Sequence, residues 1–356
     1  MSGQDTIRQI LDLGRWAPSG DNTQPWRFEI AGPSHVIVHG FDTREHCVYD
    51  LDGHASQISI GALLETISIA ASDHGLRLTA TRRKDVPDSR PVFDLIFVED
   101  QTLTRDPLVD HIRERTVQRK ALSSRTLTLH EKSQLEGALP DGYEVQWIEG
   151  AAKWRAALLL FHSAKLRLTT PEAYQVHRDI IDWSCRFSPT KVPDQALGVD
   201  PLTIKLMRFV MKDWKRVEFF NRYFAGTWAP RIQMDFVPSI KCGAHFALSA
   251  TKRPDSIDDY VAAGRAVQRL WLQTTALGLL MQPEVTPLVF ARYAELERKF
   301  SEVPGTSDAA KEVASALRQL LGSDKAQRTA FMGRVGEGHQ PKSRSLRIPL
   351  AGLLTD

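Results

Sequence analysis

The sequence predicts an α+β protein made of two fused halves, each with a mostly antiparallel sheet flanked by helices, plus a helical insertion. Three observations support this fold class. Short alternating segments separated by turn residues indicate hairpin strands. Two alanine-rich helical segments, 57–75 and 262–278, both end at a glycine followed by leucine. The segment 171–230 has helical spacing and many aromatic residues. With 356 residues, of which 42% are hydrophobic, the chain can bury two domains or one large fused unit.

Composition excludes several classes of function. The net charge of +3 is small and basic residues are spread along the chain, so nucleic-acid binding is not indicated. Cys47, Cys185 and Cys242 lie far apart, which favours a reducing cytoplasm and predicts no disulfide and no metal site. The N-terminus has no signal-peptide pattern, and no stretch approaches the roughly 20 apolar residues of a membrane span. We therefore expect a cytoplasmic protein with no membrane partner.

The first half is predicted to cover 1–107. A helical pattern through Ile7, Ile10 and Leu11 stops at Pro18. Strands are then predicted at 27–30 and 36–38, around a Gly-Pro turn. The apolar helix 57–75 follows and is expected to be buried. Strands at 76–80 and 92–98 complete this half.

The second half is predicted to cover 108–356. An arginine-rich segment at 108–122 precedes a capped helix and a strand at 143–148. The helical insertion, a strand at 246–250 and helix 262–278 follow. The likeness between the two alanine-rich helices indicates two degenerate copies of one unit. The alternative is that two ordinary core helices look alike by chance.

The segment 17–28, with the sequence APSGDNTQPWRF, connects the first helix to the first strand. It places Ser19, Gly20, Asp21 and Asn22 between a helix end and Trp26. Such residues favour local hydrogen bonds between side chains and backbone. The pattern suits a loop that wraps a flat polar ligand, although a plain helix-to-strand connection has the same composition.

This segment resembles the loop typical of the FMN-dependent nitroreductase family, usually written PSxxNxQPW. The matching residues are Pro18, Ser19, Asn22, Gln24, Pro25 and Trp26. In that family two subunits interlock and build each flavin site between them. The resemblance therefore implies that basic residues of another subunit, or of another half, hold the flavin phosphate.

The distribution of family motifs resembles the single-chain pseudo-dimer branch of the family. A family subunit carries both a basic phosphate motif and the PSxxNxQPW loop. Here the first half has only the loop, and the second half has basic residues at 113–119 and in the PKSR segment at 341–344. Paired halves would thus form one complete site, in a monomer or a weak homodimer.

The resemblance implies which residues bind FMN. Arg115 and Arg119 match the basic positions of the family motif. The position at which the family motif has a hydroxyl side chain is occupied here by Val117, and Thr116 lies one residue before it. Arg119 is expected near the pyrimidine edge of the ring, and the loop 278–284 near N5. The implied FMN-binding residues are Pro18, Ser19, Gly20, Asn22, Gln24, Arg113, Arg115, Thr116, Arg119, Gln282, Pro283, Glu284, Lys342, Arg344 and Arg347. Without the resemblance, the arginine-rich segment 113–119 would be interpreted as a solvated surface helix.

No nucleophile motif or acid–base pair stands out in the sequence, which agrees with chemistry carried by a flavin. The resemblance implies an FMN-dependent oxidoreductase driven by NAD(P)H that reduces a nitroaromatic, a quinone or a similar acceptor. One alternative is a protein that sequesters FMN beneath a closed lid. Another is a biosynthetic flavin dehydrogenase. The lid hypothesis expects Tyr174, Trp183 or Phe187 to face the flavin, whereas the plainer interpretation places these aromatics in a core.

Overall fold

The computed structural model of the protein describes residues 3–224 and 226–355. Its α-helices are α1 (Gly3–Gly14), α2 (His54–Ser72), α3 (Leu129–Gly137), α4 (Ala151–Thr169), α5 (Pro171–Ile180), α6 (Pro201–Val210), α7 (Trp214–Tyr223), α8 (Trp228–Pro230), α9 (Val237–Ile240), α10 (Ile257–Ala276), α11 (Thr286–Glu295), α12 (Thr306–Leu321) and α13 (Ser323–Arg328). Short 3₁₀ turns are Gly20–Asn22, Leu51–Gly53, Pro107–His111, Asp194–Ala196 and Leu350–Gly352, and Arg231–Phe236 is a π-helix. None of the described helices is long and apolar enough to cross a membrane.

Two four-stranded antiparallel sheets form the framework. The strands are β1 (Trp26–Gly32), β2 (His35–Gly40), β3 (Leu76–Arg82), β4 (Val92–Glu99), β5 (Tyr143–Ile148), β6 (Ile181–Asp182), β7 (Phe187–Ser188), β8 (Val192–Pro193), β9 (Ala244–Ala250), β10 (Leu280–Pro283), β11 (Thr329–Gly336) and β12 (Arg344–Ser345). The first sheet has the order β1-β2-β4-β3, and the second has the order β5-β9-β11-β10. The α+β prediction is confirmed.

The two sheets share one topology. In each, the first, second, fourth and third strands of the half lie side by side, and a long helix joins the second strand to the third. This helix is α2 in the first half and α10 in the second. The two halves therefore have the same strand order and the same helix placement. That they are two copies of one unit stays a prediction.

The helices α2 and α10 pack against each other through glycines. A Cβ added at Gly61 would lie 1.9 Å from the carbonyl oxygen of Val261, and one added at Gly264 would lie 2.0 Å from that of Ile58. Because no side chain fits at either point, the two backbones touch directly. Side chains of α10, including Val261, thereby join the core beneath the first sheet.

Local signals account for where several helices begin. Thr128 and Glu131 form a reciprocal capping box at α3, and Ser256 and Asp259 do the same at α10.

Two interpretations of the sequence need correction. The segment 278–284 was expected to be a loop, but β10 occupies part of it because its residues pair with β11. The arginine-rich segment 108–122 is not a surface helix, since after Pro107–His111 it runs irregularly into the interior.

The insertion leaves the second sheet between β5 and β9, where the first half has only a tight β1–β2 connection. Its helices pack mainly against α12 and against one another. Tyr174 is buried, its ring lies 5.5 Å from that of Trp214 at a tilted angle, and its hydroxyl donates to the carbonyl of Met211, so it is a core residue. Trp183 joins a small cluster within the insertion, and Phe187 is exposed.

Candidate functional site

A cavity of about 430 Å³ lies between the two halves. The first half contributes the 17–28 loop and the start of α2. The second half contributes 115–119, the end of β10 and 343–347. The volume falls in the range of small-molecule and cofactor sites. A single chain therefore supplies both sides of the cavity.

The 17–28 loop has an unusual backbone at the cavity wall. Asp21, Asn22 and Gln24 have φ values of 51°, 63° and 49°, in the left-handed region that residues other than glycine rarely adopt. The Ser19 hydroxyl accepts a hydrogen bond from the Gln24 backbone N–H at 3.0 Å and thereby closes the turn. Clustered strain of this kind is typical of functional sites.

Asn22 and Gln24 attach the loop to the second half. The Asn22 Oδ1 atom accepts from Arg347 at 2.9 Å, and the Gln24 Oε1 atom accepts from the Ile348 backbone N–H at 2.9 Å. Both side-chain amides also donate to the carbonyl of Pro189 in the insertion. Asn22 lines the cavity. Gln24, which is fully buried, does not. The loop motif thus has a structural role in joining the halves.

Three arginines meet at one end of the cavity. Arg115, Arg344 and Arg347 all line it, and none forms an ion pair with a carboxylate of the described residues. Their polar contacts are mostly backbone carbonyls. Arg115 donates to Trp16, Arg344 to Arg113 and Arg115, and Arg347 to Ala17. We call these three residues the arginine cluster.

Burial, together with nearby positive charges, lowers the pKa values of Arg115 and Arg347 in the arginine cluster. Burial, followed by the charges of Arg347 and Arg344, lowers the pKa of Arg115 well below its ordinary value. Burial and the neighbouring Arg344 and Arg15 lower the pKa of Arg347 to about 9. The Nε atoms of Arg115 and Arg344 are buried without a hydrogen-bond partner among the described residues. Buried cations without a carboxylate partner are costly, so this part of the cavity fits a ligand with more than one negative charge.

Another part of the cavity wall contains Arg119 and Gln282. Val117 forms a parallel bridge with Met281, and the Gln118 N–H donates to the Met281 carbonyl, which places this segment beside β10. Burial lowers the pKa of Arg119 to about 10, with Asp21 opposing the shift. The Oε1 atom of Gln282 is buried without a partner in the described chain. Thr116 and Pro283 complete this wall.

The structure brings most of the implied binding residues to the cavity: Pro18, Ser19, Gly20, Asn22, Arg115, Thr116, Arg119, Gln282, Pro283, Arg344 and Arg347. Gln24, Arg113, Glu284 and Lys342 do not line it. Arg113 is exposed and pairs with Asp12 at 2.6 Å. Lys342 is exposed, and its carbonyl accepts from Arg186 at 3.0 Å.

Glu284 lies behind the cavity in a buried ionic network. It contacts His245 at 2.6 Å and Arg334 at 2.7 Å. Burial lowers the pKa of His245, but the Glu284 carboxylate outweighs burial and raises it to about 10. Arg334 also donates to the carbonyl of Arg119 at 2.8 Å. The network therefore supports the backbone that carries Arg119.

Tyr49, Arg167, His177 and Asp21 are among the cavity residues that the implied FMN-binding residues do not include. Tyr49 hydrogen-bonds His177 Nε2 at 3.2 Å, and Arg167 pairs with Asp235 near them. Burial and the charge of Arg167 lower the pKa of His177 to about 3, so it is neutral at physiological pH. Asp21 completes the set, and burial raises its pKa. Asp21 lies inside the loop motif, but the helices carrying His177 and Arg167 have no local signal.

None of Tyr174, Trp183 and Phe187 lines the cavity, so the aromatic form of the lid hypothesis is wrong. The insertion instead contributes His177, Val192 and Ala196. Parallel pairing of β7 with β12 and the hydrogen bonds from Asn22 and Gln24 attach the 187–193 segment at the cavity edge.

No protein-family model matches the chain, and no curated protein matches its sequence. Among solved structures, it is similar to a nitroreductase with bound FMN from Bacteroides fragilis NCTC 9343, with a TM-score of 0.38 and 11% identity over 70% of this chain and 98% of that one. A nitroreductase-like family protein from Bacillus cereus has a TM-score of 0.36 and 11% identity, over 71% and 97%.

A third similar structure is the FMN-dependent nitroreductase NfnB from Mycobacterium smegmatis in complex with NADPH. Its TM-score is 0.35, with 16% identity over 69% of this chain and 95% of that one. The solved structures to which the chain is similar thus include nitroreductases, the family that its 17–28 loop resembles.

Proposed function

We propose that the protein is an FMN-dependent oxidoreductase. The observation that carries the proposal is the arginine cluster, which faces a cavity and has no carboxylate partner among the described residues. Arg115 and Arg347 are buried, and Arg344 is half-buried. A terminal phosphate carries about two negative charges and accepts several charge-assisted hydrogen bonds. The cluster would hold that phosphate, and the hydroxyl-bearing segment 343–345 adds donors beside it.

The remainder of the cavity suits a flat heteroaromatic ring. Arg119 would place a fixed positive charge at one edge of the ring, and the Oε1 atom of Gln282 offers an acceptor. The chemistry that FMN supplies when bound is hydride transfer through N5, from NADH or NADPH to an acceptor such as a nitroaromatic or a quinone. The chain's own residues bind and orient the ring and shield it from water.

The proposal is tested by identifying the bound cofactor and by following its reduction. Purified protein should be yellow, and acid release followed by chromatography should yield FMN rather than FAD. Addition of NADPH without oxygen should bleach the visible absorbance, and a quinone or nitroaromatic should restore it. Failure to bind FMN after reconstitution would contradict the proposal.

A second candidate function is FMN sequestration, supported by the insertion that closes one side of the cavity. Gln24 donates to Pro189 at 2.8 Å, and Ser345 donates to Lys191 at 3.0 Å, so the 187–193 segment is attached on two sides. A protein that binds FMN but never bleaches under NADPH would favour this function. Bleaching within seconds would exclude it.

A further inference from the structure

We propose that the outer face of α6 and α7 binds the surface of an anionic phospholipid bilayer. This contact is peripheral and needs no spanning helix, so it departs from the expectation of no membrane partner. It is also independent of the cofactor and therefore goes beyond the proposed function. We call the surface the outer face and define it by the exposed apolar side chains Leu202, Leu206, Phe209, Phe219, Tyr223 and Phe224.

Helix α6 is apolar on two opposite sides. Ile204, Met207 and Met211 pack on the cluster inside the insertion. Leu202, Leu206 and Phe209, spaced by four and three residues, form a stripe on the other side of the helix and are 76%, 50% and 50% exposed. The inner stripe already attaches the helix to the protein, so packing within this chain does not explain the outer one.

Helix α7 also contributes exposed apolar side chains to the outer face. Phe219 and Tyr223 lie one helical turn apart, and Phe209 of α6 meets Phe220 of α7 edge-on at 6.5 Å. Neither α6 nor α7 has a buried residue. Eight of the fifteen large apolar side chains that are exposed in the described chain fall within 202–232. Concentrated exposure of this kind marks an interaction surface.

The positive charge of this surface indicates an anionic partner. The segment 201–224 contains two acidic residues, Asp213 and Glu218, and six basic ones: Lys205, Arg208, Lys212, Lys215, Arg216 and Arg222. Its net charge of +4 exceeds the +3 of the entire chain. Amphipathic helices with aromatic and leucine residues beside lysine and arginine lie in the interface of anionic bilayers. A second copy of this chain would bring six more cations to the same contact, which disfavours self-association.

The experiment measures cosedimentation of the full chain with vesicles. Wild type should bind vesicles of phosphatidylcholine plus phosphatidylserine at least roughly tenfold more tightly than vesicles of phosphatidylcholine alone. The variants Leu202→Ser/Leu206→Ser and Lys205→Glu/Lys212→Glu should each weaken binding to the anionic vesicles about tenfold. All four positions are exposed, so the melting temperature should not change.

The matched control is Leu129→Ser, which removes another exposed leucine, on α3, and should bind like wild type. Equal binding to both vesicle types would overturn the proposal. So would equal binding by wild type and the two double variants, or no binding by wild type. Concentration-dependent dimerisation that Leu202→Ser/Leu206→Ser abolishes would assign the face to a second copy instead.

Discussion

Buried charge distinguishes the residues of this site. Arg115 has only 2% of its surface exposed, yet its neighbours Arg344 and Arg347 repel it and no described carboxylate compensates. Arg334, another buried cation, has a carboxylate partner in Glu284. The absence of a carboxylate partner among the described residues is what makes Arg115 a candidate for binding an anion.

Replacing Arg115 by methionine should separate binding from stability. The melting temperature of the cofactor-free protein should stay constant or rise, because an uncompensated buried cation is removed. FMN affinity should fall about tenfold to a hundredfold, since a hydrogen bond to a charged group contributes about 1.5–3 kcal/mol. Thermal melts and a fluorescence titration with FMN measure both quantities. Arg77→Met, at an exposed ion pair with Asp100, is the control and should alter neither. A melting temperature lowered equally with and without FMN would assign Arg115 a purely structural role.

His245 should remain protonated in the folded protein well above neutral pH. Its folded pKa of about 10 lies above its ordinary value of 6.5. Its contribution to the free energy of unfolding is therefore complete below about pH 6.5 and lost as the pH rises through about 10. Imidazole proton shifts followed by NMR from pH 6 to pH 9 should show no titration of this residue. A midpoint near neutrality would contradict the ionic network.

At the scale of elements, the contact between α2 and α10 decides how the halves fit. Each helix is long and apolar, but the close approach depends on Gly61 and Gly264 at the crossing point. Since each glycine faces a backbone carbonyl of the other helix, a methyl group cannot be accommodated by a side-chain rotation. The helices would have to separate, and both cores would loosen.

Gly61→Ala should destabilise the protein by about 3 kcal/mol or prevent folding, because the added Cβ would lie 1.9 Å from the Val261 carbonyl oxygen. Chemical denaturation followed by circular dichroism measures the loss. Gly137→Ala is the matched control, since a Cβ there meets no atom within 4 Å. The control should be neutral or slightly stabilising. Wild-type stability of Gly61→Ala would mean that the helices do not cross at this glycine.

At the scale of the molecule, the two halves are unequal. The connection from α1 to β1 spans 15–25 and forms the cavity wall, whereas the corresponding connection from α3 to β5 spans only 138–142. The arginine cluster lies entirely in the second half. One half therefore supplies the loop and the other supplies the arginine cluster.

We expect one FMN per chain and no requirement for a second chain. Cofactor release quantified against protein concentration gives the stoichiometry, and analytical ultracentrifugation of the yellow protein gives its mass. The expected species is a monomer that retains its flavin at low concentration. Two flavins per chain, or flavin loss that accompanies dissociation of a dimer, would show that the halves do not complete one site alone.

The sequence alone determined the features that depend on neighbouring residues. Helical periodicity located α2 and α10, turn residues located the 17–28 loop, and a capped helix was predicted where α3 lies. These signals are local, because hydrogen bonds within a few residues produce them. The resemblance to the nitroreductase family rests on the 17–28 loop as well.

Only the tertiary structure decided which side chains meet. Arg113 and Arg115 are two residues apart, yet one pairs with Asp12 at the surface and the other lies in the cavity. The difference arises because the segment after Arg113 turns inward to pair with β10, which is remote in sequence. Glu284 faces away from the cavity for a similar reason, since His245 on β9 and Arg334 on β11 hold it behind the sheet. Contacts between distant segments set these orientations, and no local pattern in the chain encodes them.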